Sequence, residues 1–117
     1  MATYSKHLLS GSVNGKCILI SGTSAATAQT LHTHPGGTGS LDEVFLYACN
    51  VATSNATLYL LWGGTLNPDD TELALISANT GRNLVTDGRL VTNGLSITAY
   101  SSGTTIVMDG FVNRITS

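Results

Sequence analysis

The apolar residues of this chain alternate with a period of two, in runs too short for helices. In the longest run, Leu41–Val51 (LDEVFLYACNV), Val44, Leu46 and Ala48 share one side, and Phe45, Tyr47, Cys49 and Val51 share the other. The same two-sided pattern sets Leu58, Leu60 and Trp62 against Tyr59 and Leu61, and Ile106, Met108 and Val112 against Val107, Phe111 and Ile115. These runs are rich in Val, Ile, Leu, Thr and Tyr and are broken by Gly, Asn, Asp and Ser, the composition of strands and turns. The pattern predicts strands over Cys17–Ser21, Ala28–Thr33, Leu41–Val51, Thr57–Gly63, Thr71–Ile76, Arg82–Thr86, Leu95–Tyr100 and Thr104–Ile115. A chain of 117 residues has room for one domain. The expected fold is therefore all-β, a single β-sandwich or jelly-roll-like domain of about eight mostly antiparallel strands. Only Ser24–Gln29, with Ala25, Ala26 and Ala28, offers a short helical turn.

A sandwich of this size has one interior, so strands that are apolar on both faces imply contacts outside the domain. The candidates for such an interface are Phe45, Tyr47, Val51, Tyr59, Leu61, Val107, Phe111 and Ile115. The competing explanation is that single apolar residues are normal on any surface. Loops supply further contacts: Pro35, Gly36 and Gly37 in His34–Gly39, and Asn67 and Pro68 in Gly63–Asp70. Asp87-Gly88 and Asn93-Gly94 have the composition of tight turns. Residues 1–16 show weak periodicity and read as an N-terminal arm or a first strand region, with 17–117 as the sandwich domain.

Charge narrows the partners. Charged residues make up 10 % of the chain and the net charge is -2. Five basic residues, spread from Lys6 to Arg114, do not make a phosphate-binding footprint, so no nucleic-acid partner is expected. No apolar run is long enough to span a bilayer, no basic amphipathic helix suits a membrane surface, and the first 16 residues show no secretory signal. No membrane partner is expected.

The chemistry-bearing residues form no recognisable catalytic motif. Cys17 and Cys49 lie in apolar stretches and read as buried free thiols, with a bridge between their strands as the alternative; their spacing matches no zinc or redox motif. His32 and His34 share one face of an extended chain, and Asp42 or Glu43 is positioned to complete a metal site. Without a third histidine nearby they read as polar residues flanking a turn, and no metal or other cofactor is expected. No serine lies in a GxSxG elbow, and Gly36–Gly39 lacks the Lys and helix of a phosphate loop. The neighbours in Asp42-Glu43 and Asp69-Asp70 point to opposite faces and are not catalytic pairs. Asp69, Asp70 and Glu72 fit no EF-hand spacing. Asn55-Ala56-Thr57 spells a glycosylation acceptor. Trp62 and Tyr59 are the candidates for a sugar-stacking platform, the alternative function being a carbohydrate-binding or receptor-binding module.

Leu31–Asp42 (LHTHPGGTGSLD), Glu43–Asn50 (EVFLYACN), Leu60–Asp69 (LLWGGTLNPD), Leu90–Gly94 (LVTNG) and Gly110–Ile115 (GFVNRI) together resemble small virion structural proteins of tailed bacteriophages. The resemblance runs over most of residues 28–115 and lies in layout and phrasing, with no catalytic signature. It implies a non-enzymatic β-sandwich located in the phage particle, assembled in the host cytoplasm, which decorates and stabilises the capsid across capsomers. The partners it implies are the major capsid protein and further copies of the chain, with a trimer as the first expectation. A neck or tail component is the variant of the same reading. The resemblance gives the histidines and cysteines no role.

Overall fold

The computed structural model describes residues 2–64, 69–78 and 81–116. Among them are nine strands: β1 (Thr3–Leu8), β2 (Ile18–Ile20), β3 (Gln29–Thr33), β4 (Ser40–Asn50), β5 (Ala56–Trp62), β6 (Thr71–Ile76), β7 (Asn83–Val91), β8 (Ser96–Ser101) and β9 (Ile106–Thr116). All the strand pairings are antiparallel and they build two sheets. One sheet runs β1-β9-β4-β7, with β2 also on β9; the other runs β3-β8-β5-β6. The expected all-β sandwich is thus present, and a short 3₁₀ turn at Ala25–Thr27 falls within the alanine-rich stretch. No helix among the described residues is long and apolar enough to cross a membrane.

The alternation seen in the sequence sorts side chains between core and surface. Val44, Leu46 and Ala48 of β4, Leu58 and Leu60 of β5, and Ile106, Met108 and Val112 of β9 are buried together with Ile20, Leu31 and Ile97. Each of these side chains larger than alanine contributes roughly 1.5–3 kcal/mol by leaving water, which makes this shared layer the main support of the fold.

Two expectations are corrected by the backbone. The strand placed at Arg82–Thr86 extends to Val91, and Asp87-Gly88 is not a turn. The register of β4 on β7 steps from Val44–Arg89 to Phe45–Asp87, leaving Gly88 as the extra residue of a bulge. Its φ of +84° explains the glycine. An Asp-Gly pair supplies the left-handed conformation that a bulge and a hairpin turn share. By contrast, Asn93 and Gly94 both take positive φ, as a tight turn requires. The second correction concerns Cys17, which is exposed; both cysteines are free. Ile18 and Ile20 take the inward positions of β2, so Cys17 falls on the outward parity.

Residues 3–8 form β1 on β9, with Thr3 opposite Thr116 and Leu8 opposite Phe111. β2 continues along the same edge of β9, with Ile18 opposite Met108. β1 and β2 are therefore one interrupted edge strand. The excursion between them crosses to the other sheet. Leu9 inserts into the core, the Gly11 N–H donates to the Leu31 carbonyl (2.9 Å), and Ser10 Oγ accepts from the Thr33 N–H (2.8 Å). This strap covers the outer edge of β3, which otherwise presents unpaired backbone groups.

Gly110, in the middle of β9, faces the same close approach of backbones. A Cβ there would run into the Phe45 carbonyl oxygen of β4. Gly110→Ala is expected to cost more than about 2 kcal/mol, because the obstacle is main chain in a paired strand. Urea unfolding of the variant against the wild type measures it.

Candidate functional site

The outer face of the β1-β9-β4-β7 sheet collects most of the proposed contact residues. Phe45, Tyr47, Val107, Phe111 and Ile115 all have outward parity on β4 and β9, and all are half-buried. Phe45 and Phe111 stack with centroids 4.9 Å apart, and Lys6 Nζ lies 4.9 Å from the Phe111 centroid. Beside them Tyr4, Leu8, Leu19, Leu41, Leu84 and Leu90 are exposed, with Tyr4 at 70 %. Tyr47 is covered by the Arg82 guanidinium, 3.6 Å from the ring centroid, and Arg82 is held there by both oxygens of Asp109 at 3.0 and 3.1 Å. The hydrogen bond to Asp109 is also the largest influence raising the Arg82 pKa. The result is a face on which aromatic and aliphatic side chains predominate, with Lys6, Glu43, Arg82 and Asp109 among them. Its exposed leucines and tyrosine lie together on one sheet face.

The other candidates lie elsewhere. Val51 is exposed just beyond the end of β4. Tyr59 is on the outer face of the second sheet, stacked on Tyr100 at 4.5 Å. Leu61 is 1 % exposed and has almost no surface to offer a partner. Trp62 points inward, with Leu58 and Leu60, whereas Tyr59 points outward, so the two rings do not form a common platform. The Trp62 ring is already covered by Arg89 at 4.0 Å, and its Nε1 donates to Glu72 at 3.3 Å. Asn67 and Pro68 lie outside the described residues.

At one end of the sandwich the two sheets are joined by a buried polar cluster. Asp42 on β4 and Arg114 on β9 are cross-strand partners, and Arg114 Nε and Nη2 donate to the two Asp42 oxygens at 2.7 and 3.1 Å. From β3 in the opposite sheet, His32 Nε2 reaches Asp42 Oδ2 at 2.7 Å. The Ser10 N–H of the strap points at His32 Nδ1 (3.0 Å). A backbone N–H can only donate, so Nδ1 carries a lone pair and the proton resides on Nε2. His32 is thus a neutral imidazole donating to Asp42. Burial pushes the Asp42 carboxyl up, but the hydrogen bonds from Arg114 and His32 outweigh it and hold the group below its usual value of 3.8. The bond to Asp42 in turn raises Arg114.

His34 follows the same logic. Its Nδ1 accepts from Gly36 N–H (3.0 Å) and Gly94 N–H (3.2 Å), so Nε2 donates to the Ser40 carbonyl (3.0 Å) or hydroxyl (3.1 Å). The imidazole pins the exposed Pro35, Gly36 and Gly37 against the Asn93–Gly94 turn. The histidines do not merely flank a turn: both are 1 % exposed and both ring nitrogens of each are occupied by protein groups. No group of three or more His, Cys, Asp or Glu among the described residues is arranged to hold a metal ion.

At the other end of β4, Asn50 uses all four hydrogen-bonding positions of its side chain. Nδ2 donates to the carbonyls of Ser54 (2.8 Å) and Ile76 (3.1 Å), and Oδ1 accepts from the Ala52 N–H (3.0 Å) and Thr105 hydroxyl (2.9 Å). It ties the β4–β5 turn to the end of β6 and the start of β9. Neither Asn50 nor Arg114 stood out in the sequence. Asn50 ends a strongly apolar run, and the cross-strand position of Arg114 opposite Asp42 becomes visible only once β4 and β9 are in register. No protein-family model matches the chain, and no curated protein is significantly similar to it in sequence.

Proposed function

We propose that the protein is a non-enzymatic structural component of a phage particle, binding the major capsid protein lattice through the outer face of its β1-β9-β4-β7 sheet. The observation that carries this reading is that face, with Phe45, Phe111, Tyr47 and Ile115 surrounded by exposed Tyr4, Leu8, Leu41, Leu84 and Leu90. A flat apolar surface supported by a rigid sheet suits attachment to another folded protein. The sequence resemblance supplies the virion and the capsomer-bridging role, with three copies gathered on the capsid lattice as its stoichiometry. The strand order supports a jelly-roll winding: β1/β2-β9-β4-β7 faces β3-β8-β5-β6, so from β2 to β9 each successive strand changes sheet except β5 to β6, a hairpin within the second sheet.

The test is binding of purified protein to capsids stripped of accessory proteins, read by co-sedimentation. Leu84→Glu with Leu90→Glu changes two side chains that are each 53 % exposed, so the fold should persist by circular dichroism. Capsid affinity should fall by at least about tenfold, the loss expected when apolar anchors worth about 1–2 kcal/mol are replaced by charges. Wild-type protein that ignores capsids, or a double variant that binds as well as wild type, rejects the assignment of this face. Protein that binds isolated tails in place of capsids moves the role to the tail.

A further inference from the structure

The edges of the two sheets are not equally guarded. Along the β9 side, β1 carries Lys6 and His7 and β2 has three residues. β7 is bulged and carries Asp87 and Arg89. β3 is irregular between Thr30 and His32 and is covered by the Ser10–Gly11 strap. These are the devices by which proteins prevent edge-to-edge pairing. β6 is different. Thr71–Ile76 pairs with β5 in unbroken register, contains no proline or glycine, and exposes Leu73 and Leu75 at 62 % and 66 %. Its one charge, Glu72, is engaged by the Trp62 indole on the strand beside it.

The hydrogen-bond parity shows what this edge presents. The Trp62 N–H donates to the Asp70 carbonyl, so with the observed register the even residues of β6 turn their backbone groups toward β5. The Gly63 N–H donates to Ser96, and the Ser102 N–H to Thr57, which places the odd residues of β5 on the β8 side and agrees with that parity. Leu73 and Leu75 therefore direct both N–H and C=O toward the side of β6 on which no strand among the described residues pairs, while their side chains stand on the outer face beside Tyr59.

We propose that β6 pairs antiparallel with β6 of a second copy about a twofold axis at Ala74, joining two four-stranded sheets into one. In that register Leu73 of each copy lies opposite Leu75 of the other, and each of these two pairs exchanges both backbone bonds. The charges fit as well. Glu72 falls opposite Ile76 and Asp70 opposite Ala78, so no two carboxylates meet. The leucines meet across the axis on the outer face, as a continuation of the row in which Leu73 neighbours Tyr59 and Tyr59 neighbours Tyr100. A partner with the same edge satisfies backbone, apolar and charge requirements together. A six-residue seam is small beside the roughly 800 Å² per partner of a stable interface, so the pairing is a concentration-dependent dimer that an assembled lattice would strengthen. It leaves the opposite sheet's outer face free and does not rest on the capsid reading.

Sedimentation equilibrium up to about 500 µM, the range in which so small a seam forms, tests it. The mass of the wild type should rise from 12.1 kDa toward twice that value. Leu73→Pro removes only an outward-facing N–H, which an edge strand tolerates, but it should weaken association by at least about tenfold. Leu75→Lys, which needs no special backbone, should do the same. In the wild type, amide exchange at Leu73 and Leu75 should slow as concentration rises. The Leu84→Glu, Leu90→Glu protein should still dimerise. A wild-type mass that stays at the monomer value overturns the inference, as does undiminished association in both folded β6 variants. Loss of association in the Leu84→Glu, Leu90→Glu protein overturns it equally.

Discussion

Asp42→Ala should lower stability by about 3–5 kcal/mol, the cost of leaving a buried charged partner uncompensated. The substitution removes the acceptor of both Arg114 bonds and of the His32 Nε2–H, and so releases a buried polar link between β3 and the β4–β9 pair. In thermal denaturation this corresponds to a fall in Tm of about 15 °C or more. Asp42→Asn keeps the volume and one acceptor, and should recover part of the loss but not the charge pairing with Arg114. The same carboxylate sets an acid limit. Its folded pKa is held below the ordinary 3.8, so its contribution is complete above the unfolded carboxylate range. That contribution is lost as pH falls through the folded value, since the unfolded state then binds the proton more readily. Wild-type stability should therefore decline steeply below about pH 4, the unfolded carboxylate range. The Asp42→Ala protein should decline less, because it lacks the carboxylate whose protonation drives the loss. Equal acid slopes in the two proteins would show that the cluster does not contribute.

Asn50→Ala should cost about 3 kcal/mol, through groups left behind and not through lost volume. The Ser54 and Ile76 carbonyls, the Ala52 N–H and the Thr105 hydroxyl all lose a partner at once. Asn50→Asp retains the Oδ1 acceptor but loses the amide donors, and brings a carboxylate against two carbonyls. It should be no better than the alanine variant. Urea midpoints at unchanged m-value measure both. A loss within about 0.5 kcal/mol, typical of a surface substitution, would mean that water replaces the side chain without penalty.

Strand existence and facing were legible because burial on one side leaves a period-two record, as in β4, β5 and β9. β6 was readable to its end residues, Thr71 and Ile76. β1 left no such record, because all six of its residues are exposed and no apolar face repeats along it. Gly88 shows a different limit. Its positive φ was correctly implied, but whether that φ turns the chain or bulges it depends on β4, far away in sequence. The candidate face was partly legible: Phe45, Tyr47, Val107, Phe111 and Ile115 follow from parity alone. Tyr4, Leu84 and Leu90 join them only through registers that the sequence does not specify. For the polar clusters, His32 and Asp42 were visible as residues able to interact, whereas Arg114 and the Ser10 amide that defines the imidazole tautomer came from distant strands.

The placement of β9 has a consequence for how the protein is made. This strand, Ile106–Thr116, lies between β4 on one side and β1 with β2 on the other, and Thr3 finds its partner at Thr116. During synthesis β1 emerges more than a hundred residues before the segment of β9 that pairs with it, and β2 somewhat fewer than a hundred. The sheet cannot close around its own middle until that segment leaves the ribosome. Contacts of such sequence separation are slow to form, so Leu9 and Ile20 wait through most of the domain for β9, and the β4 core residues through about its second half. The eleven residues of β9 complete the sheet and commit the fold.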